Sequence, residues 1–366
     1  MITVGVLFGG RTGEHDVSLC SAASVVSALD ASRYAVVAIG IDRAGRWYVQ
    51  DAPEVVPDPE FGRKMRLERT GTWLAANHPD DNRLTLREIG SGQEVRLDVV
   101  FPVMHGTYGE DGTLQGLLEL AMVPYVGADV IGSAIGMDKD VSKRLLAQAG
   151  IPVTPGVTVS RRDWERRKRE MVDEAIGRLG LPLFVKPSCA GSSVGVRKAK
   201  SEAELCDAVD FAMQFDTKVL VERSVPCREI ECAVLGNDEP AASVLGEIVP
   251  NHEFYSYEAK YLDPDGARLS IPADVPSALA EEIRSCACRA FTVLCCAGLA
   301  RVDFFLDRET GAYYLNEINT LPGFTSISMY PKLWEASGLP YAALLDRLID
   351  LAFERHAVRA ALKTEC

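Results

Sequence analysis

The chain opens with a near-continuous apolar run, ITVGVLFGG, which predicts a strand buried on both faces. A helix-like stretch follows (EHDVSLCSAASVVSALD), then a second buried strand (YAVVAIGID). Further on come a third strand, LDVVFPVMH, and a helix, DGTLQGLLELA, with Asp111 near its start. This alternation gives the first third an α/β character. The polar, irregular stretch 51–96 predicts a peripheral hairpin or loop, and glycines at 127–136 (GADVIGSAIG) mark a boundary.

From there to about Glu222 the pattern predicts a helix over 139–149, a proline-punctuated strand (IPVTPGVTV) and a long charged helix over 164–180. LPLFVKPSCAGSSVGVRKA then reads as two strands flanking a Gly/Ser loop, with a helix over 202–215 behind it. Beyond about Arg223 come strands EIECAVLG and ASVLGEIVP, the hairpin ARVDFFLD–RETG–AYYLNEIN and two helical stretches. No repeat and no low-complexity segment interrupts this pattern of three mixed α/β units.

Composition narrows the function. The 366 residues carry 39 basic and 52 acidic side chains, a net charge of −13, which argues against a nucleic-acid partner. The one dense basic run, Arg161 to Arg169, is broken by acids and reads as a solvated helix face. No stretch reaches the ~20 apolar residues that span a bilayer, and the start lacks a basic signal-peptide region, so a cytoplasmic chain with no membrane partner is expected. Cys286, Cys288, Cys295 and Cys296 fall in one helix-like segment without zinc spacing and read as small buried thiols.

Candidate chemistry sits in five places. The chain has no G-x-x-x-x-G-K-[ST], and GGRTGEHD does not fit G-x-G-x-x-G. The loop CAGSSVG joins two strands instead; Gly191 and Gly195 let backbone N–H groups close on phosphate oxygens, Ser192 and Ser193 add donors, and Lys186 precedes it. An ordinary flexible hairpin fits that loop equally well. In the last hairpin, Arg301 and Asp303 share a face, as do Glu317 and Asn319. A turn centred near Thr310 would set Asp303 opposite Glu317 and Arg301 opposite Asn319, a register that a one-residue slip would undo. Three oxygen ligands and a guanidinium would then converge, a set suited to Mg²⁺ carrying a polyphosphate rather than to a surface salt-bridge ladder. MHGTYGEDGTLQG places His105, Glu110 and Asp111 in a turn that by itself reads as a capped strand–turn–helix. NHEFYSYEAKYLD, with Lys260 and Tyr261, is a lid or a decorated loop, and NTLPGFTSISMYPK offers the Gly323 N–H and the Ser328 hydroxyl to a carboxylate or oxyanion.

In this order, GGRTGEHDVS, MHGTYGEDGTLQG, MDK, VKPSCAGSSVGV, ERSVPCREIECAV, YEAKY, RVDFF and NEINTLPGFTSISMYP resemble the D-alanine–D-alanine ligases of the ATP-grasp superfamily over nearly the whole chain. The resemblance implies an α/β (α+β) fold of three domains: a Rossmann-like substrate domain at 1–127 and two units, 128–222 and 223–366, that clamp ATP. It implies that Lys139 and Lys186 contact ATP phosphates under the loop Gly191–Ser192–Ser193. Glu222, Arg223 and Val225 would lie at the adenine and Glu229 at the ribose. Asp303, Glu317 and Asn319 would hold two Mg²⁺ ions (Mn²⁺ as a substitute), Glu317 bridging them. Glu14 would bind the first D-alanine's ammonium, beside His105, and tie to Ser192 and Tyr261. Arg301 and Gly323 would stabilise the tetrahedral intermediate. Ser328 and Lys260 would grip the second carboxylate, with Met329 against its methyl group.

The implied reaction forms an acyl phosphate from the first D-alanine and ATP, which the amine of the second attacks, for peptidoglycan precursors. A homodimer is the implied assembly. Arg223 stands where many relatives have lysine, and Cys189-Ala190 replaces a larger polar pair, which would loosen the phosphate lid or leave a reactive thiol there. Competing readings are a ligase that takes D-serine or D-lactate second, another ATP-grasp acyl-phosphate enzyme, and a nucleotide-binding regulator without catalysis. Tyr261 and Met329 resemble the alanine type, whereas one hydroxyl discriminates D-serine only weakly.

Overall fold

The computed structural model describes residues 1–50, 53–59, 61–71, 73–78, 83–250 and 267–363. Its first sheet runs in the order Trp47–Val49, Tyr34–Ile41, Ile2–Gly9, Val99–Pro102, with the last three strands parallel. The unbroken apolar run of Ile2–Gly9 follows from burial on both faces. Val4, Val6 and Phe8 pack under helix His15–Ala28 and the returning C-terminal helix Tyr341–Ala360, while Leu7 packs the other way with Leu84, Leu86 and Leu97.

The expected hairpin in 51–96 is present, but those three leucines show that the stretch is neither a loop nor peripheral. The stretch forms a two-stranded ribbon (Val55–Asp58, Gly62–Met65) and a three-stranded sheet (Trp73–His78, Arg83–Glu88, Glu94–Leu97) that covers the parallel sheet. Leu84 and Leu86 are spaced i, i+2 and wholly buried, so a period-2 signal was present among the polar residues. The predicted strand LDVVFPVMH divides at Asp98, whose carboxylate accepts from the Thr3 N–H at 2.8 Å; Glu94–Leu97 joins the added sheet and Val99–Pro102 the parallel one.

The second sheet is antiparallel, in the order Gly156–Ser160, Lys218–Arg223, Leu183–Pro187, Arg197–Ala199. Helices Arg161–Leu179 and Glu202–Ala212 cover it through Trp164, Val172, Leu205 and Val209. The basic run is solvated as expected, with Asp163–Arg167 and Asp173–Arg169 paired along the exposed face.

The third sheet orders Ala267–Ser270, Ala241–Pro250, Cys227–Gly236, Gly298–Asp307, Tyr313–Asn319, all antiparallel. Helix Ser277–Val293 seals one face. It stops before Cys295, which is exposed and left-handed (φ 56°), so Cys295 and Cys296 lie beyond the helix that the sequence pattern extended over them. The nine described cysteines are free thiols, and among the described residues no helix is long and apolar enough to cross a membrane.

Candidate active site

A cavity of about 700 Å³ lies between the second and third sheets. Helix Lys139–Gln148 delivers Lys139 to its wall. Asp138 caps that helix by accepting from the Asp140 and Val141 N–H groups, and pairs with Lys218 at 2.6 Å. The Lys139 ammonium donates to the Ala190 carbonyl at 2.8 Å and lies 3.3 Å from Glu317. The loop above it carries Ser192 and Ser193 at φ 47° and 58°, successive left-handed residues in a phosphate-cradling type of turn. Gly195 cannot be replaced cheaply there, because a Cβ would fall 2.7 Å from Pro187. The Cys189 thiol is pushed up to about 12, by burial first and then by Asp138 and Asp216, so it is not a reactive thiolate.

Deeper in the same wall, Glu222 is buried and receives two ammoniums: Lys143, and Lys186 at 2.5 Å. Burial alone would raise this carboxyl, but the two lysines outweigh it and hold the pKa below the ordinary value. Lys186 also donates to Asn316 at 3.0 Å. Arg223, Val225, Glu229 and the half-buried Phe184 and Phe305 line the same cavity.

The last hairpin has the expected register, Asp303 opposite Glu317 and Arg301 opposite Asn319, with a bulge between Asp303 and Phe304. Arg301 binds both Asp303 oxygens at 2.7 Å and lies 3.0 Å from Glu231 on the neighbouring strand. Burial works against its charge, yet the Asp303 and Glu231 carboxylates hold its pKa well above the ordinary value. Asn319 donates to Asp303 at 3.0 Å. Asp303, Glu317 and Asn319 thus form an all-oxygen set, and two protein cations already sit against its carboxylates, so the site fits a hard divalent ion.

A smaller cavity of about 140 Å³ adjoins the first, and Gly191, Ser192, Glu231 and Glu317 line both. Here Ser192 donates to Glu14, the residue that opens helix His15–Ala28. A Cβ at Gly191 would meet the Glu14 carboxylate at 2.9 Å, so that carboxylate would have to shift to admit one. His105 donates from Nδ1 to the Leu321 carbonyl at 3.0 Å, which leaves Nε2 to accept from Ser21 at 3.3 Å. Burial lowers its pKa against the pull of Glu14. Both ring nitrogens are therefore engaged in holding the Leu321–Phe324 turn, and Ser21 accepts from the Phe324 N–H. Glu110 clamps the same turn, accepting from Gly106 at 2.8 Å and Leu321 at 3.3 Å. Ser328 accepts from the Thr325 N–H at 3.0 Å, and a Cβ on Gly323 would stand 2.7 Å from its hydroxyl. Met329, Ile248 and Leu269 form an apolar wall of this cavity.

Of the candidate residues, Lys260 and Tyr261 lie outside the described residues. The others line the two cavities, except Gly195, which lies at the end of the phosphate loop, and Asp111, whose carboxylate accepts from the Tyr108 and Thr113 N–H groups of its own turn. Sequence reading did not single out Lys143, Glu231, Asn316, Ser21 or Phe61 as site residues. Lys143 had a signal, since it is one turn from Lys139 on the same helix face. Glu231 gains meaning only when its strand pairs with Asp303, and Phe61 reaches the smaller cavity from the turn of a ribbon in the stretch that read as a peripheral hairpin or loop.

Comparison with known proteins accords with this geometry. Residues 3–128 match the family model described as the N-terminus of D-ala D-ala ligase, and residues 145–350 that of its C-terminus. The chain is 50% identical over 364 residues to D-alanine–D-alanine ligase A of Escherichia coli (strain K12), covering 99% of both chains. Among solved structures it resembles the D-alanine–D-alanine ligase from Coxiella burnetii (40% identity, TM-score 0.83, 98% of this chain and 96% of that one). It also resembles the VanG D-Ala:D-Ser ligase from Enterococcus faecalis (34% identity, TM-score 0.82, 96% and 99%). The chain belongs to the D-alanine–D-alanine ligase family of ATP-dependent ligases, with the ATP-grasp fold.

Proposed function

We propose that this protein joins two D-alanines into D-alanyl-D-alanine, with ATP converted to ADP and phosphate, for peptidoglycan precursor synthesis. The observation that carries the reading is the pair of unequal cavities meeting at Gly191, Ser192, Glu231 and Glu317. The larger suits a nucleoside triphosphate and the smaller two amino acids, so the γ-phosphorus and a carboxylate would meet at the shared wall.

A carboxylate is a poor electrophile. An oxygen of the first D-alanine would attack the γ-phosphorus and the bond to ADP would break, leaving an acyl phosphate. Lys139 and Lys186 offset charge on the phosphates, and the Gly191–Ser193 loop closes over them. Glu14 receives the first substrate's ammonium, with His105 fixing the facing turn. Asp303, Glu317 and Asn319 would hold Mg²⁺, or Mn²⁺ in its place, which when bound would add positive charge at the transferred phosphoryl group. The second D-alanine's amine then attacks the carbonyl carbon, Arg301 and the Gly323 N–H stabilise the oxyanion, and phosphate leaves. Ser328, with Lys260, grips the second carboxylate, and Met329 sits against the methyl group. Excluding water preserves the acyl phosphate, a task for the Ser192 contact with Glu14 and for Tyr261. Domains at 1–127, 128–222 and 223–366, a homodimer and a cytoplasmic location belong to the same reading.

The test is phosphate release by purified protein with Mg²⁺-ATP and D-alanine, with products read by mass. Release that requires D-alanine and yields D-alanyl-D-alanine supports the reading. A mixed product with added D-serine moves the second subsite to the other branch, and no D-amino-acid-dependent release sinks it.

A further inference from the structure

Four lysines, Lys139, Lys143, Lys186 and Lys198, lie at or next to the nucleotide cavity, but they are not equivalent. Lys139 and Lys186 line the cavity, whereas Lys143 lies behind Glu222 and lines neither cavity. Lys186 therefore has two claims on its charge: Glu222 at 2.5 Å, and the phosphates that enter beside it. When a triphosphate draws Lys186 away, Glu222 would be left as a buried carboxylate, a costly state unless a second cation stays. Lys143 is that cation. It is buried, ion-paired to Glu222, and anchored on helix Lys139–Gln148, whose first turn is fixed by the Asp138 cap. Gly156, opposite Glu222 on the adjacent strand, leaves room for this arrangement, since a Cβ there would approach the Glu222 Cγ at 3.1 Å.

From this geometry, and resting on the nucleotide reading above, we infer that Lys143 is a specificity-determining positioning residue: it keeps Glu222 ionised and oriented so that the cavity accepts a 6-aminopurine and rejects a 6-oxopurine. A carboxylate without a proton can only accept. The exocyclic amine of adenine donates to it, while the 6-carbonyl of hypoxanthine or guanine would bring a second acceptor against it in a partly dry pocket. Lys143 touches no substrate atom in this scheme; it acts through Glu222. Burial and the neighbouring Lys186 push the Lys143 pKa down to about 8 against the pull of Glu222, so withdrawal of Lys186 to phosphate strengthens the remaining pair.

The experiment compares ATP with ITP, which differs at the purine 6-position, in the full-length protein and in Lys143→Met and Lys143→Gln. Stabilisation against heat by each nucleotide is read without amino acid, and nucleoside diphosphate formation is read with D-alanine. The wild type is expected to prefer ATP. Lys143→Met should lower the ATP:ITP preference about tenfold, ATP binding weakening and ITP binding holding or improving as Glu222 takes up a proton that it can donate to a 6-carbonyl. Lys143→Gln keeps a neutral donor to Glu222 and should lose less, about threefold, and it carries the test if the methionine variant does not fold. An equal loss for both nucleotides, an unchanged ratio with a lowered melting temperature, or a wild type indifferent to the base would each overturn the inference. Failure of the ligase reading would show separately, as base discrimination in the heat assay without D-alanine-dependent turnover.

Discussion

Ser192 of the phosphate loop donates its hydroxyl hydrogen to the carboxylate of Glu14, 178 residues earlier in the chain. One hydrogen bond thus joins the element that would cover ATP to the residue that would hold the first amino acid. Removing it with Ser192→Ala should loosen closure more than binding. The expected result is about tenfold lower kcat/KM for D-alanine, with more phosphate released than dipeptide formed as water reaches the acyl phosphate. Parallel phosphate and dipeptide assays give that ratio; a ratio held at one would refute the coupling.

Arg301 spans Asp303 and Glu231 with a planar fork, contacts that a single ammonium cannot reproduce. Arg301→Lys keeps the charge that neutralises both carboxylates, so the variant should fold with a melting temperature near the wild type. Its dipeptide formation should fall by about a hundredfold or more, the scale of losing an oxyanion donor. A drop in melting temperature that accounted for the activity loss would assign Arg301 a structural role alone.

Glu110 sets a pH dependence. Its pKa is raised to about 8 by burial and then by Glu14, against the Gly106 and Leu321 N–H groups, which favour the anion. In the unfolded chain it titrates near about 4.3. The folded state therefore binds the extra proton between those values, and this contribution to stability, full below the unfolded value, is lost as pH rises through about 8. Glu110→Gln carries no such titration. Melting curves from pH 5 to 8 should show the wild type losing ground to the variant as pH increases; parallel curves would contradict the assignment.

Two glycines should respond in opposite directions. Gly177 is exposed in helix Arg161–Leu179, and a Cβ there would touch nothing within 4 Å, so Gly177→Ala should stabilise by about 0.5–1 kcal/mol. Gly323→Ala would drive a methyl against the Ser328 hydroxyl at 2.7 Å, displacing the turn that presents the oxyanion donor. Its KM for the second D-alanine should rise about tenfold or more, with little change for ATP. Chemical denaturation and substrate titrations read the two effects.

Thiol labelling separates the cysteines. Cys295 is exposed, whereas burial pushes Cys189, Cys227 and Cys232 up to about 12. Of the described cysteines, a disulfide reagent at pH 8 should modify Cys295 first and leave nucleotide binding unchanged. Rapid modification of Cys189 would reverse the conclusion that the phosphate loop holds no reactive thiol.

Local physics fixed what could be read from the chain. Ile2–Gly9 had to be a doubly buried strand because its apolar residues do not alternate, and Glu317 and Asn319 had to share a face because strands repeat every two residues. The RETG turn was enough to place Asp303 opposite Glu317, and the ordered motifs, from the glycine loop to the final hairpin, were enough for the family. Tertiary structure decided the rest. Glu231 matters because its strand, about 70 residues from the hairpin, pairs with Asp303; Lys143 matters because its helix lands behind Glu222; Leu84 and Leu86 matter because a sheet face needed covering. These partnerships join segments distant in sequence, and no periodicity within one segment encodes which other segment will bury its charge or its leucines.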